Sequence, residues 1–520
     1  MRRKFFAFAT ATVMGVVAAS APQLAYADNC LRMYKHAHYN GTEYKFCPGQ
    51  SLPKHSRWND EVSSIKVPSG YILAVYEHAG RRGKSRILTS STRWVGESWN
   101  DKISSYKLVR GNISDCVRAY KDANYKGTRW DFCPSNLGLP KPDHGKWNDQ
   151  ISSVKVPEGK QVTFCEHVKN GSGKGRCRTF FENTSWIGST LNDKFSYYSW
   201  GSFDHDSFTM AVISDTQYGY CEARACKDGP GNADKANEWH SDSIRKLARG
   251  TRNWAGVILN GDVTNVETMD EVKQFEKDYG GAHMNMYAGL GNHDYENYHD
   301  KWCAGDGNAV AKNYCTRRIM QWFEDHIESI PSTRVDLTKQ DQNRTGSYAY
   351  RWDIGNYTFI QLNNHPEYDL DFKVYISSRV HKERYDINPS IRWLKRELDR
   401  ISDSRVVVIH MHKRGTTRSR AKFLEALDRH PRVAAVFLGH EHELIGWDNR
   451  AIGSAGTGRK EWTTPAGKKI PYLFAGGAEW NQYLKVKFDR NRIVIEPIDS
   501  RWGKANTLPA TVARTVVINH

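Results

Sequence analysis

Past its first 27 residues, the 520-residue sequence has no apolar run approaching the ~18 residues that a membrane-spanning helix requires. That excludes a helical membrane protein for the body of the chain. It has no Cys-x-x-Cys pair either, which removes a zinc ribbon or a thioredoxin-like dithiol from consideration. Residues 28–200 lack any sustained helical period, so no helical bundle is expected there. What stands at the start is a basic "MRRK", a short apolar "FFAFATATVMGVVAA", and the small-x-small site Ala25-Tyr26-Ala27. Polar Ser20, Pro22 and Gln23 close the apolar run too early for a span, so residues 1–27 read as a signal peptide and the mature chain as secreted or periplasmic, without a transmembrane anchor. All ten cysteines follow that site, in five neighbouring pairs: Cys30–Cys47, Cys116–Cys133, Cys165–Cys177, Cys221–Cys226 and Cys303–Cys315. An even count in an exported chain reads as disulfides, and the repeated 17-residue spacing marks the first two pairs most clearly.

Acidic residues are in short supply in one region only. The net charge is +17, yet residues 28–200 carry 27 Lys and Arg against 16 Asp and Glu, or +11, while residues 201–520 contribute +3. A basic amino-terminal third favours anionic neighbours such as nucleic acid or an anionic cell surface, through long-range attraction. The same excess would also serve solubility alone.

That third is duplicated. "NCLRMYKHAHYNGTEYKFCPG" returns as "DCVRAYKDANYKGTRWDFCPS", and "WNDEVSSIKVP" returns as "WNDQISSVKVP". A second kind of unit, at 71–108, has its counterpart at 161–198, giving four units of about 40 residues paired as two domains. Each reads as short alternating strands with glycine-containing turns, the pattern of an antiparallel sandwich. Four loops stand out: Asn59 to Ser64, Asn100 to Ser105, Asn148 to Ser153 and Asn192 to Tyr197. These loops resemble the N/D-N/D-x-x-S/T-S signature of the βγ-crystallin family, whose Greek-key motifs bind calcium, and the fourth departs from it at the sixth place, where Tyr197 stands for Ser. The resemblance implies calcium ligands from Asn59, Ser63, Asn100, Ser104, Asn148, Ser152, Asn192 and Ser196. Lys102 and Lys194 oppose a cation in two of the loops, and Asn-Asp and Ser-Ser pairs also cap turns on their own.

From about Ser207 the pattern changes to apolar strands followed by helix-like stretches. Polar clusters stand just past successive apolar runs: "AVISDTQ", "GVILNGDVTN", "YAGLGNHD", "RVVVIHMH" and "AVFLGHEH". Open α/β sheets build their sites at such strand ends. The set resembles the calcineurin-like metallophosphoesterases, whose blocks are D-x-H, G-D-x-x-D/N, G-N-H-D/E, a histidine after a strand, and G-H-x-H. It implies a two-metal site in which Asp262 bridges. The first metal would take Asp215, Asp262 and His442, with Gln217 where the family often has histidine. The second would take Asp262, Asn292, His410 and His440. A hydroxide between the metals would attack phosphorus, His293 would supply a proton, and Asn265 would orient His293. The cations implied are manganese, iron or zinc. His412 points from the same edge, where it would contact substrate or stand as a plain surface histidine, the second reading being preferred.

The resulting expectation is a multidomain chain: two all-β Greek-key sandwiches at 28–110 and 114–200, an α/β four-layer sandwich at 207–500, and a C-terminal extension at 501–520. Two insertions that follow metal-bearing strands would rim the pocket, with Tyr218, Tyr220, Tyr298, Trp302 and Tyr314 stacking a substrate and Arg317 and Arg318 holding phosphate. Asn363 or His365 would also reach it. The favoured function is a secreted phosphatase or phosphodiesterase acting on a phosphorylated small molecule or a polyanion. A secreted nuclease and a non-enzymatic calcium-dependent surface-binding protein are the alternatives.

Overall fold

A computed structural model describes residues 29–47, 54–111, 115–134, 139, 141, 144–218, 233–265, 268–281, 283–295, 314–331, 333–377, 380–446, 460–507 and 515–520. The chain forms two compact units, Met1–Gly111 and Asn112–His520. In the first, Leu31–His36 is the central strand between Asn40–Phe46 and Ser64–Lys66, and Tyr71–His78 is central between Arg82–Leu88 and Ser105–Arg110. Alternation sends Leu31, Met33, Leu73 and Val75 inward onto Trp58 and Ile65, so the two sheets share one core. Cys30 and Cys47 are joined at the paired ends of the adjacent strands Leu31–His36 and Asn40–Phe46.

The second unit begins with the same arrangement. Val117–Asp122 lies between Lys126–Phe132 and Ser153–Lys155, and Lys160–Lys169 lies between Ser172–Phe180 and Tyr197–Ser202. Cys116–Cys133 and Cys165–Cys177 are both formed. The expected Cys221–Cys226 pair lies outside the described residues. So does Cys303, while Cys315 is disulfide-bonded.

Two larger sheets follow. One runs in the order Met286–Ala288, Trp254–Leu259, Ser207–Ile213, Gln482–Asp489, Arg492–Asp499, Asn506–Thr507, and Val516–Asn519 also pairs with Arg492–Asp499. The expected C-terminal extension therefore supplies a strand to this sheet. Its alternation gives the reason, since Val516 and Ile518 are buried while Val517 is exposed. The other large sheet centres on Tyr357–Gln361, Val406–Met411, Val433–Leu438 and Lys469–Ala475, all parallel neighbours. Val406 and Val408 face the first sheet's core, whereas Val407, Ile409 and Met411 face Leu394 and Phe423 of the helices Ile391–Arg400 and Thr417–Leu427. The helices Ala233–Gly250 and Met269–Tyr279 contribute Ile244, Ala248, Val272 and Phe275 to the core of the first sheet. Sheets on the inside with helices against them make a layered α/β architecture. A four-stranded sheet in the order Thr338–Gln340, Asn343–Gly346, Val380–Ile387, Leu370–Ser377 is added to this frame.

Candidate metal centre

The strands Ser207–Ile213, Trp254–Leu259 and Met286–Ala288 are parallel neighbours, so the loops that follow them leave from one edge. Asp215 and Asp262 occupy left-handed backbone conformations (φ 55° each), as does His440 (φ 66°). Bulky residues adopt that region at a cost, and here it turns their side chains and amides into a common space. Gly291 is needed for the same packing, because a Cβ there would run into the Asp262 carboxylate.

Asp294 ties two of these loops together. Its carboxylate accepts from Gly291 N at 2.8 Å, Thr264 N at 2.8 Å and Thr264 Oγ1 at 3.0 Å. Burial, with the Asp262 charge adding to it, pushes its pKa up to about 7. A capping box continues the scaffold. Thr268 N donates to Glu271 Oε2 at 2.9 Å at the start of the following helix, and Glu271 Oε1 accepts from Asn265 N at 2.9 Å. Asn265 in turn holds His293 Nδ1 at 3.0 Å, through its backbone carbonyl rather than its side chain. A carbonyl only accepts, so the Nδ1 proton of His293 is on that side.

Two triads converge and share one residue. Asp215, Asp262 and His442 form one, and Asp262, His412 and His440 form the other, each with one ligand atom per residue within 4.8 Å of the rest. Asp262 is fully buried; its Oδ1 accepts from His293 N at 3.0 Å and its Oδ2 from Gln217 Nε2 at 2.8 Å. Asp215 Oδ2 accepts from His440 N at 3.0 Å, and Oδ1 faces His442 Nε2 at 3.1 Å. Glu479 Oε1 stands 2.6 Å from His442 Nδ1, a carboxylate backing a histidine that turns its other nitrogen to the site. Burial would lower the His442 pKa, but Asp215 and Glu479 carry it up to about 12. Burial would likewise raise Asp215, and the His442 charge overrides it downward. His440 is lowered to about 4, by burial first and then by His412 and Lys413.

These atoms suit a pair of divalent cations. Gln217 Oε1 is buried with no hydrogen-bond partner among the described residues, and Asp215 Oδ1 has the His442 ring beside it. His412 is fully buried, and its Nδ1 is 2.8 Å from Asn260 O, so its proton goes there. Its Nε2 then faces two oxygens, Asp262 Oδ2 at 3.1 Å and Asn292 Oδ1 at 3.1 Å. A ring nitrogen against two acceptors needs either a second proton or a cation. Without a cation, burial pulls the His412 pKa down while Asp262 and Asp215 push it to a net rise. Gln217 has its nitrogen on Asp262, and a half-turn of the amide would present its oxygen instead.

The structure brings Asp215, Gln217, Asp262, Asn292, His293, His440 and His442 together, but not His410. That ring lies 5.1 Å from and nearly parallel to Phe437, with Nδ1 3.0 Å from Asn260 Oδ1, and burial lowers its pKa to about 3. His412 takes the place expected of His410. Both project from the same face of one strand, two residues apart, and only the one beyond Met411 reaches the loops. The reading of His412 as a surface histidine is thereby corrected. Glu479, Asn260 and Asp294 were also missed; of these, Asp294 stands inside the quoted G-N-H-D block.

The expected substrate contacts fare differently. Tyr218 is core, donating to Asp278 Oδ2 at 3.1 Å, and Arg317 grips Glu383 with two bonds of 2.8 Å. Tyr220, Tyr298 and Trp302 lie outside the described residues. Asn363 is buried and accepts from Leu290 N at 3.1 Å, which makes it a support for the G-N-H-D loop.

In the β-modules the quoted loops meet in pairs. Asp60 N donates to Ile103 O and Asp101 N to Val62 O; Asp149 N donates to Phe195 O and Asp193 N to Ile151 O. Ser104 Oγ donates to Asp60 Oδ1 at 2.9 Å, while Ser63 and Ser152 turn to the carbonyls of Lys35 and Lys121. Among the described residues, Oδ1 of Asn59, Asn100, Asn148 and Asn192 is buried without a hydrogen-bond partner in every loop. The Ser196 amide and carbonyl are engaged by Cys165 O and His144 Nε2.

Residues 208–444 match the family model for calcineurin-like phosphoesterase. This stretch is a calcineurin-like phosphoesterase domain. Its family is one of metal-dependent phosphoester hydrolases with a binuclear centre, in keeping with two triads that share Asp262. Solved structures similar to parts of the chain include a βγ-crystallin domain from Clostridium beijerinckii, at 35% identity over 15% of this chain and 95% of that one, TM-score 0.14. Another is a βγ-crystallin domain from Flavobacterium johnsoniae, at 25% identity over 15% of this chain and 93% of that one, TM-score 0.14. A third is protein S complexed with calcium, at 19% identity over 33% of this chain and 99% of that one, TM-score 0.21. No curated protein matches the chain.

Proposed function

We propose that the protein is an exported hydrolase of phosphoric mono- or diesters. The observation that carries this is the sharing of Asp262 between two triads, with His293 fixed beside it. Asp215, Asp262 and His442, with Gln217, would hold one divalent cation; Asp262, Asn292, His412 and His440 would hold the other. When bound, such ions supply Lewis acidity and lower the pKa of water. The chain does the rest. Asp262 is buried and pinned by the His293 amide, so its carboxylate is oriented before substrate arrives. His293, with its Nδ1 proton on Asn265 O, exchanges a proton with the leaving oxygen at Nε2. The disulfides Cys30–Cys47, Cys116–Cys133 and Cys165–Cys177, formed among the described residues, support the exported reading.

The test is hydrolysis of an aryl phosphomonoester and an aryl phosphodiester by the manganese-loaded protein. Asp262→Asn is expected to lower kcat at least about 1000-fold, and turnover within tenfold of the parent would refute the assignment. The +11 charge of residues 28–200 supports a polyanionic substrate as a second reading. Cleavage of single-stranded DNA that falls steeply with salt would favour it, and salt-independent turnover of small esters alone would dismiss it.

The four unpaired Asn Oδ1 atoms support calcium in the module loops. Calcium titration by calorimetry is expected to show saturable binding that Asn59→Ala and Asn148→Ala weaken; unchanged binding in the double variant would end that reading.

A further inference from the structure

Where the second β-module meets the phosphoesterase domain there is a cavity of about 150 Å³ lined by Arg178, Thr190, Phe275, Met284 and Trp322, with Glu276 and Asp325 also on its wall. It lies apart from the metal centre, none of whose residues line it. Arg178 is 4% exposed, and among the described residues only one of its three guanidinium nitrogens has a hydrogen-bond partner: Nη1 donates to Met286 O at 3.3 Å. The Tyr287 ring, 5.4 Å away, gives the cation some compensation. Nε and Nη2 are buried with no partner among the described residues, and so is Oγ1 of Thr190, which lines the same cavity. A buried cation without a counter-charge is costly, so the arrangement is stable only at the expense of other contacts.

Nε and Nη2 form one edge of the guanidinium, the fork that matches the two oxygens of a carboxylate. The molecule uses that edge repeatedly. Arg317 grips Glu383 with it, Arg384 grips Asp371, and Arg429 grips Asp399. Neighbouring Arg176 spends the same two nitrogens on Glu166. In Arg178 the edge meets no carboxylate among the described residues.

We propose that this cavity binds a small organic monocarboxylate, its carboxylate on the Nε–Nη2 edge of Arg178 and its apolar part against Phe275, Met284 and Trp322. Thr190 Oγ1 adds a hydrogen bond. Glu276 and Asp325 repel a second negative charge, which selects a monoanion over phosphate. The occupant sits beside Met286 and Tyr287, on the strand that runs into the loop bearing Asn292 and His293.

The test is calorimetric titration and thermal unfolding of the full chain with sodium propionate and sodium benzoate, against chloride and inorganic phosphate at matched ionic strength. One saturable carboxylate site per chain is expected, with phosphate at least about tenfold weaker. Arg178→Gln should abolish the site, and Arg178→Lys, which keeps the charge but not the fork, should weaken it about tenfold. Thr190→Val, a near-isosteric change, should weaken it severalfold and provides the comparison if the arginine variants do not fold. No saturable response to either carboxylate at concentrations on the order of 50 mM would overturn the proposal. So would binding left intact in Arg178→Gln, binding left intact in Thr190→Val where the arginine variants do not fold, or phosphate binding as tightly as carboxylate.

Discussion

The two β-modules are near-duplicates in sequence, yet equivalent positions on their edge strands face different surroundings. Leu73 pairs with Leu88 in the first module and Val162 with Phe180 in the second, and all four are core. Counted from these anchors, Arg86 corresponds to Arg178, Ile87 to Thr179, and Thr89-Ser90 to Phe181-Glu182. The bridges Ile65–Thr92 and Val154–Thr184 keep the same offset. Arg86 Nη1 turns back to Val95 O of its own module at 2.6 Å, whereas Arg178 Nη1 reaches Met286 O in the phosphoesterase domain. Asn285 of that domain takes both backbone groups of Thr179, accepting from N at 2.7 Å and donating to O at 2.8 Å. Phe181 joins the phosphoesterase core. Inward residues specify the sandwich in both copies. The outward residues of an edge strand, whose backbone groups need a partner, determine whether the sandwich docks.

The largest expected effect comes from breaking that dock. Asn285→Ala leaves the buried amide and carbonyl of Thr179 unpaired, at a cost of about 2–4 kcal/mol to unfolding of the second unit. Denaturant melting checks this. A loss below about 1 kcal/mol would mean that apolar contacts such as that of Phe181 hold the dock alone.

Glu182 gives the next effect, and it depends on pH. Its counterpart Ser90 is exposed, but burial, with Asp353 adding to it, pushes the Glu182 pKa from 4.5 up to about 7. A carboxyl raised on folding stabilises the fold in its protonated form. That contribution is whole below about pH 4.5 and is lost as pH rises through about 7. Glu182→Gln is therefore expected to gain on the order of 2 kcal/mol near pH 8 and nothing near pH 4. Melting temperatures of both proteins across pH test it, and parallel curves would place Glu182 in solvent.

The same distinction explains what could be read from sequence. The duplicated strands and the strand-end blocks were legible because their signal is local: alternation, turn residues, and Asp, Asn or His just past an apolar run. Asp215, Asp262, Asn292, His440 and His442 were recognisable on those terms. "VVVIHMH" is ambiguous because period-two alternation puts His410 and His412 on one face, and only the strand's length, ending at Met411, separates a core ring from a site ring. Glu479 lies 37 residues beyond His442 with no local pattern to link them. The docking of the second module was equally illegible, since Thr179 and Asn285 are 106 residues apart.

The smallest effect is the most exacting for the comparison. Ile87, the counterpart of Thr179, is half-buried on its edge strand. If outward residues act only through a partner, Ile87→Thr should change stability by less than about 0.5 kcal/mol, as for a surface strand position. The reciprocal Thr179→Ile keeps the backbone bonds to Asn285 but replaces a hydroxyl that lies 2.7 Å from Thr163 Oγ1. It should cost roughly 1 kcal/mol. Denaturation of the two variants measures both. Equal losses would mean that the two modules meet the same environment after all, and that the edge strand does not decide docking. A loss confined to Thr179→Ile would locate the difference in the outward face, since the inward residues of the two sandwiches are untouched by either change.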